Sequence, residues 1–473
     1  MKRKTKIVAT LGPASDSPEV LTKLLSAGVN VVRINFSHGQ AEDHRERVRR
    51  VREAAAELQL PVAVLADLQG PKIRIESFAE GAVELETGQA FTLDTRMASD
   101  AGTHDAVAIH YEPLLADVKA GSQLLINDGA ISLAVDAVDD HRIQCTVEVG
   151  GKLSGRKGVN LRGGGLSAGG LTEKDFDDIR VAAELDVDYL AVSFVRSAAD
   201  LHEARERLEA AGGKARLCAK IERAEAIAAL DEIIQASDAV MVARGDLGVE
   251  IGDPELPGVQ KRIIATAREM NRLVITATQM MESMIENPIP TRAEVLDVAN
   301  ATLDGTDAVM LSAETAVGRY PVQTVAAMAK ICIGAEREAT ADRPASGLAA
   351  HFQRTDEAIA MATMYTARHM HADAIIALTE SGTTALLMSR QDTHIPIFAL
   401  TQYPASERYL ALCRNVFPVA FLPSELNGVV PVDEAVACLR TRGDLESGDR
   451  VLVTKGDFTG PGGTNAMKII TVD

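Results

Sequence analysis

Short apolar runs alternate with amphipathic segments along most of the chain. Eight runs rich in β-branched residues have the length and composition of strands, and they begin at residues 6, 29, 62, 187, 216, 238, 272 and 307. Between most of them lie segments with apolar residues at helical spacing, such as AEDHRERVRRVREAAAEL from residue 41. Eight alternating strand and helix units predict an α/β fold with a closed (β/α)8 barrel, the TIM barrel.

One connection interrupts this alternation. Residues 71–167 contain Gly-punctuated alternating segments, such as AVELETGQAFTLD, and almost no helical periodicity. We therefore predict that residues 71–167 form an all-β domain inserted in a barrel loop. The barrel would then comprise residues 1–70 and 168–345.

The end of the chain follows another pattern. The polar segment REATADRPASG contains Pro and Gly, as linkers do. It is followed by helical DEAIAMATMYTARHM, by the strands ADAIIALT and IPIFALT, and by a closing strand pair, VLVTKG and AMKIITVD. Residues 346–473 are therefore predicted to form a separate α/β domain.

The composition narrows the classes of function. The 473 residues are 46% hydrophobic and 25% charged, as in ordinary globular enzymes. Because 67 acidic residues outnumber 49 basic ones, the formal charge of -18 disfavours nucleic acid and anionic membranes as general partners. We expect no signal peptide and no membrane span, since MKRKTK precedes only a short apolar run and no long one follows.

The cysteines exclude two kinds of site. All five are scattered singly and none has CxxC spacing, so neither a disulfide framework nor a thiolate zinc site is predicted. We expect reduced, mostly buried thiols and a cytoplasmic location.

Several predicted strands end in charged or hydroxyl residues, which is how a parallel barrel presents reactive groups at one rim. In the second strand, Arg33, Asn35 and Ser37 share one face because side chains alternate along a strand. An Arg fork suits a phosphate group, with Asn and Ser as neutral contacts. The alternative is a surface strand whose polar groups are satisfied locally.

Carboxylates lie at the ends of the fifth and sixth predicted strands. Lys220 and Glu222 alternate with Ile221, and this pair alone is more typical of a structural ion pair than of a catalytic couple. After the following strand, glycines flank Asp246 and leave room for an anionic ligand near the backbone. Glu222 and Asp246 together are a candidate Mg²⁺ site, because this ion usually takes one or two carboxylates plus substrate oxygens.

The seventh strand adds hydroxyl groups. Thr276 and Thr278 alternate there, and Thr278, as the last strand residue, is the candidate for substrate contact. The segment from Gln279 to Met284 is predicted to open the next helix, and its Met cluster is more typical of core packing than of a ligand surface.

Longer motifs resemble those of the pyruvate kinase family, in that family's order and over nearly the whole chain. They are RINFSHG, DLQGPKIR, RKGVN, AKIE, ARGDLGVEI, TATQMMESM, PTRAEVLDVANA and DAVMLSAETAVGRYP. The resemblance implies phosphoryl transfer from phosphoenolpyruvate to ADP, giving pyruvate and ATP, the last step of glycolysis. It also implies that the insert is a small β-barrel acting as a mobile lid, that the C-terminal domain is regulatory, and that the enzyme is a homotetramer.

The same resemblance implies roles for single residues. Arg33, Lys220, Gly245, Asp246 and Thr278 would bind substrate, and Arg33, Lys220 and Thr278 would be catalytic. Glu222 and Asp246 would bind Mg²⁺, with Mn²⁺ as an alternative. Asn35, His38, Arg74 and the lid residue Lys157 would lie in the ADP/ATP site. The enolate would receive a proton through Thr278, water, Ser312 and Glu314, since a Thr hydroxyl alone is too weak an acid.

The chain departs from the family at the monovalent-cation region. Many members hold K⁺ with an Asn, a Ser and an Asp-Thr pair, followed by a Glu. Asn35, Ser37 and Asp67 match, but Leu68 replaces the Thr and Lys72 replaces the Glu. Our hypothesis is that the Lys72 ammonium replaces K⁺, as in a K⁺-independent branch of the family, so that K⁺ is not required. The alternative is that Lys72 points into solvent and K⁺ still binds.

A loop of the C-terminal domain is a candidate effector site. Its hydroxyls and helix amides could hold a phosphate group, although an ordinary helix cap is an alternative. The candidate residues are Thr379, Ser381, Gly382, Thr383 and Thr384. Because Glu380 adds an acid and GDFTGPGGTN at 456–465 lacks basic residues, we expect a sugar monophosphate or AMP rather than a bisphosphate.

Two other functions fit parts of this pattern. A barrel enzyme that makes or breaks carbon bonds could bind the same substrate with Mg²⁺, but it would not need Asn35, His38 and Lys157. A metabolite sensor without catalysis would not need the full set of Lys220, Glu222, Asp246 and Thr278.

Overall fold

The structure is a computed structural model that describes residues 2–338, 352–424, 432–456 and 462–473. The chain begins with the first strands of the barrel. Its elements are β1 (Lys6–Thr10), α1 (Pro18–Ala27), β2 (Val31–Asn35), α2 (Ala41–Leu58) and β3 (Ala63–Asp67). The Ser17 side chain caps α1 by accepting the Val20 N–H, and Pro18 is tolerated at the first position because no N–H is needed there.

The insert follows β3 and is almost entirely β-structure. Its elements are β4 (Ala82–Leu85), β5 (Ala90–Asp94), β6 (Ala106–Ala108), α3 (Leu114–Asp117), β7 (Gln123–Ile126), β8 (Ile131–Val138), β9 (Arg142–Val149), β10 (Gly151–Ser154) and β11 (Val159–Leu161). Six strands form one curled sheet in the order β11-β7-β8-β9-β5-β6, and β10 pairs with β4 separately. The insert is a curled half-barrel sheet, in keeping with the small β-barrel that was expected, and within the described residues its edge strands β11 and β6 do not pair with each other.

The chain then returns to the barrel. Its elements are α4 (Glu173–Glu184), β12 (Tyr189–Val192), α5 (Ala198–Ala210), β13 (Arg216–Ile221), α6 (Ala224–Ala228), α7 (Leu230–Ala236), β14 (Ala239–Ala243), α8 (Arg244–Ile251), α9 (Leu256–Glu269), β15 (Leu273–Ala277), a 3-10 turn (Glu282–Ile285), α10 (Arg292–Asp304), β16 (Ala308–Leu311), α11 (Ala313–Ala316) and α12 (Pro321–Glu338). The predicted helix start at Gln279 is wrong, since only the 3-10 turn lies there.

Eight parallel strands close the barrel in the order β1-β2-β3-β12-β13-β14-β15-β16. All eight strands predicted from the sequence are confirmed. Most of their side chains are buried on both faces, which explains why the runs are largely apolar. Because the strands are parallel, their carboxyl ends all open on one face, here called the mouth.

The C-terminal domain is a five-stranded α/β layer. Its elements are α13 (Thr355–His369), β17 (Ala374–Leu378), α14 (Thr383–Ser389), β18 (Ile397–Thr401), α15 (Pro404–Leu410), β19 (Val416–Ala420), α16 (Val432–Thr441), β20 (Arg450–Gly456) and β21 (Thr464–Thr471). Among the described strands the order is β19-β18-β17-β20-β21, and of these only β21 runs antiparallel to its neighbour.

The C-terminal domain packs against the end of the barrel opposite the mouth. Buried Asp307, directly before β16, accepts hydrogen bonds from the Arg390 guanidinium and from the Arg414 N–H. Burial opposes ionisation of Asp307, but Arg390 more than reverses this effect and the pKa is lowered. The interface between the barrel and the C-terminal domain therefore contains a buried ion pair.

The predicted domain boundaries at 70/71 and 167/168 fall between named elements and stay predictions, while 345/346 lies outside the described residues. All five cysteines are free thiols, four of them buried, as expected. Within the described ranges, no helix has both the length and the apolar character needed to cross a membrane.

Candidate active site

Buried Asp67, at the end of β3, is the centre of the charge cluster in the mouth. Its Oδ2 lies 2.5 Å from the Nε of Arg33 on β2, and its Oδ1 lies 3.2 Å from the Nζ of Lys220 on β13. Arg33 also donates from Nη1 to the Thr10 hydroxyl at 3.0 Å. Burial alone would raise the pKa of Asp67, but the two cations reverse that effect and lower it. Asp67 is therefore an ionised anchor for both cations.

Lys220 is held from three sides. Besides Asp67, its Nζ lies 3.0 Å from the Oε1 of Glu222 and donates to the Ser193 hydroxyl at 2.7 Å. Burial alone would lower the pKa of Lys220, yet the carboxylates of Asp67 and Glu222 raise it overall. The ammonium is therefore a permanent positive charge in a fixed place.

Ser193, which the sequence analysis missed, follows β12 and donates to the Leu68 carbonyl at 2.7 Å. Its neighbour Phe194 has a φ of 55° and donates its N–H to the Oε2 of Glu222 at 2.8 Å. The SFV end of the predicted strand was the available signal, because a hydroxyl residue ends that strand as in the other candidates.

Glu222 and Asp246 follow the neighbouring strands β13 and β14. Burial raises the pKa of Glu222; Lys220 opposes this effect and the charge of Asp246 adds to it. Two partly or fully shielded carboxylates with mutual repulsion fit a divalent cation, which favours hard oxygen ligands. In the described residues, no group of three or more His, Cys, Asp or Glu could hold a metal, so substrate and water oxygens would complete this site.

The structure places Lys72 beside Asp246, with its Nζ 2.8 Å from Oδ1. The other members of the predicted monovalent-cation region have different partners. The Oδ1 of Asn35 accepts the Ser37 N–H at 3.0 Å, and Asp67 is engaged by Arg33 and Lys220 as described above. The ammonium is thus in the mouth, but its hydrogen-bond partner is the candidate metal ligand.

Thr278 lies just after β15 rather than in it, with a φ of 66°. This conformation is unusual for a β-branched residue, and such strain is found preferentially at functional sites. Its hydroxyl accepts the Gly245 N–H at 2.8 Å and donates to the Ala277 carbonyl at 2.7 Å. Gly245 and Thr278 are therefore joined directly.

Arg244, which the sequence analysis gave no role, supports this corner. It is buried and donates to the carbonyl oxygens of Ala277 at 3.2 Å and Thr278 at 2.6 Å, and to Asp297 at 2.7 Å. Its position directly after a strand, within ARGDLG, was the signal that could have identified it.

Comparison with known proteins identifies the family to which this chain belongs. The profile described as "Pyruvate kinase, barrel domain" matches residues 2–325, and "Pyruvate kinase, alpha/beta domain" matches residues 357–470. The chain belongs to the pyruvate kinase family.

Relatives of this pyruvate kinase family member match over its full length. "Pyruvate kinase II" of Salmonella typhimurium is 55% identical over 476 residues, covering 100% of this chain and 99% of the relative. "Pyruvate kinase" of Haemophilus influenzae is 50% identical, covering 100% and 99%, and that of Geobacillus stearothermophilus is 43% identical, covering 99% of this chain and 80% of the relative. The family uses a divalent metal.

The residues that resemble the nucleotide site of pyruvate kinase lie in two places. Arg74 and Lys157 are on the paired chain segments that join insert and barrel, where the Ile75 N–H donates to the Lys157 carbonyl at 3.0 Å. Asn35 and exposed His38 are at the barrel mouth, with the His38 N–H donating to the Asn35 carbonyl at 3.3 Å. The described contacts do not join the two pairs.

Other residues singled out in the sequence have structural contacts. Met280, Met281 and Met284 are fully buried, which confirms the expected core packing. Buried Glu314 accepts the N–H groups of Met281 at 3.2 Å and Ser312 at 2.6 Å, and burial raises its pKa.

The candidate effector loop connects β17 and α14. Its hydroxyls bond within the loop, because the Ser381 and Thr383 oxygens are 2.8 Å apart and the Gly382 N–H donates to the Thr379 hydroxyl at 2.9 Å. Thr384 instead is buried and contacts the Thr464 hydroxyl at 2.7 Å. Residues 457–461 of the glycine-rich segment GDFTGPGGTN lie outside the described residues.

Proposed function

We propose that this member of the pyruvate kinase family transfers the phosphoryl group of phosphoenolpyruvate to ADP at the barrel mouth, giving pyruvate and ATP. The observation that carries this proposal is the buried Lys220 ammonium, fixed by Asp67, Glu222 and Ser193. Phosphoryl transfer needs charge neutralisation and alignment more than covalent help from the protein. A permanent cation in a fixed place suits that requirement.

The proposed roles follow from these contacts. Lys220 stabilises charge on the moving phosphoryl group and on the enolate that remains. Arg33, oriented by Asp67 and Thr10, binds a phosphoryl oxygen. Glu222 and Asp246 would hold Mg²⁺, or Mn²⁺, which neutralises oxygen charge and orients the substrates when bound.

The substrate carboxylate and enolate would lie against Gly245 and Thr278. The Thr278 hydroxyl already bridges the Gly245 N–H and the Ala277 carbonyl, so it must turn to deliver a proton to the enolate carbon. Described hydrogen bonds do not join it to Glu314, whose pKa burial raises. We infer that water links Thr278 to Ser312 and Glu314 in this relay. Asn35, His38, Arg74 and Lys157 would bind ADP as the lid closes.

A coupled assay of pyruvate formation with phosphoenolpyruvate, ADP and Mg²⁺ tests the proposal. Lys220→Met is expected to lower kcat by about a hundredfold or more while circular dichroism stays unchanged, since a fixed charge at the reacting group is lost. The exposed lysine variant Lys152→Met is the control and should keep full activity. Full activity of Lys220→Met would contradict the central role.

We also propose that K⁺ is not required, because Lys72 supplies a positive charge in the mouth. Turnover in tetramethylammonium buffer is expected to equal turnover in K⁺ buffer, and Lys72→Glu should create a demand for K⁺. A large stimulation of the unaltered enzyme by K⁺ would refute this proposal.

Regulation and assembly are proposed from the family resemblance. A sugar monophosphate or AMP would bind at the loop of Thr379, Ser381, Gly382, Thr383 and Thr384 and shift the saturation curve for phosphoenolpyruvate. Unchanged curves across a panel of these ligands would exclude that control. A homotetramer in the cytoplasm is the expected form, which light scattering and cell fractionation test.

A further inference from the structure

Lys72 contacts a carboxylate that the proposed function assigns to the metal. Its Nζ lies 2.8 Å from the Oδ1 of Asp246 and 3.9 Å from the Oδ1 of Asp128 on the lid. The Lys72 and Asp246 side chains are only 22% and 19% exposed. One ammonium therefore bonds to a barrel carboxylate and faces a lid carboxylate in a partly shielded cleft.

The two segments that join lid and barrel determine the path of the Lys72 side chain. Gly158, on the returning segment, leaves room for it, because a Cβ at that position would lie 2.8 Å from the Lys72 Cε. The Lys72 N–H also donates to the Gly70 carbonyl at 3.0 Å, which fixes the backbone from which the side chain starts. Backbone and stem both direct this ammonium toward Asp246.

A bound ammonium and a bound divalent cation make opposing demands on Asp246. A charge-assisted hydrogen bond already uses Oδ1 of Asp246 and holds a positive charge close to this carboxylate. Two cations on one carboxylate also repel each other, more strongly in a partly buried cleft than in water. Glu222 is not an uncontested ligand for the divalent cation either, because the Lys220 Nζ already lies 3.0 Å from its Oε1.

We propose that Lys72 competes with the divalent cation for Asp246 and so sets how tightly the enzyme holds this cation before phosphoenolpyruvate binds. The inference rests on the proposed Mg²⁺ site at Glu222 and Asp246. Metal binding displaces the ammonium from Asp246, and Asp128 is the nearest described carboxylate that can receive it. Loading of the metal thereby shifts positive charge toward the lid.

Mn²⁺ binding to the intact enzyme, without either substrate, tests the competition, with electron paramagnetic resonance measuring free Mn²⁺. Lys72→Met is expected to bind Mn²⁺ about tenfold more tightly, equivalent to about 1.4 kcal/mol. Lys72→Arg keeps a cation on a similar stem and should bind as weakly as the unaltered enzyme. Lys152→Met, which removes one exposed lid charge, is the matched control and should change nothing.

Asp246→Asn separates the two proposals. If it loses Mn²⁺ binding while Lys72→Met binds like the unaltered enzyme, the metal site stands and the competition is wrong. If Asp246→Asn binds Mn²⁺ normally, the metal site fails and the competition fails with it. Should Lys72→Met not fold, a crystal structure of the Mn²⁺-loaded enzyme decides, because Lys72 still hydrogen-bonded to Asp246 would overturn the inference.

Discussion

Glu250, near the end of α8, is expected to make the protein less stable as the pH rises toward 7. Only 3% exposed, it accepts the Ala224 N–H at 2.8 Å, while its carbonyl accepts the N–H of Gly163 on the segment leaving the lid. Burial raises the pKa of Glu250 to about 7, with Ala224 and Arg223 opposing and Glu225 adding to the shift. The substitution Glu250→Gln keeps the shape and removes the titration.

The sign and size of the effect follow from proton linkage. The ordinary pKa is 4.5 and the folded value about 7, so between these pH values the folded state binds more protons than the unfolded state. Stability therefore falls as pH rises through this window, and the full cost is present above pH 7. About 2.5 pKa units at 1.36 kcal/mol each give an upper value of about 3 kcal/mol.

Hydrogen exchange measured by mass spectrometry suits this test, because unfolding of a chain with several domains is not two-state. The protection of peptides containing Gly163, corrected for intrinsic exchange rates, is compared between pH 5 and pH 8. Glu250→Gln should exceed the unaltered protein by less than about 1 kcal/mol at pH 5 and by up to about 3 kcal/mol at pH 8. Exposed Glu232→Gln should follow the unaltered protein throughout. The reasoning would be refuted if the difference in protection between Glu250→Gln and the unaltered protein did not depend on pH, or if it grew toward low pH.

Substitutions at three residues test the mouth. Asp67→Asn should lower the hydrogen-exchange protection of peptides containing Arg33 or Lys220 by about 3 to 5 kcal/mol, because Arg33 would lose its buried counter-ion and Lys220 one of its two. Arg244→Lys cannot keep all its hydrogen bonds, so kcat/KM for phosphoenolpyruvate should fall about tenfold or more with an unchanged fold. Thr278→Ser should keep most of the turnover, whereas Thr278→Ala should lose about a hundredfold in kcat. Equal kcat values for these two variants would exclude a role for the hydroxyl.

The sequence predicted the barrel well because its signal is local. A parallel strand covered on both faces needs apolar residues at every position, as in Ala239–Ala243, and a polar group is tolerated only where the strand ends. The positions of Arg33, Lys220 and Glu222 in the mouth follow from strand alternation and parallel direction alone. Their motifs also led to the family, which full-length relatives support.

Distances between segments remote in sequence were decided only by the tertiary structure. Lys72 and Asp246 are 174 residues apart, and no periodicity shows which carboxylate an ammonium on a long stem will reach. Ser193 and Arg244 had a local signal, their position at a strand end, but their partners lie on other elements and were decided by the tertiary structure. The sequence also predicted strands in the insert without showing how far its sheet closes, because edge pairing depends on curvature accumulated over the whole sheet. The pattern of apolar and polar residues in the sequence thus determined the barrel strands and which residues lie at the mouth. Three-dimensional packing determined which of the charged groups contact each other there.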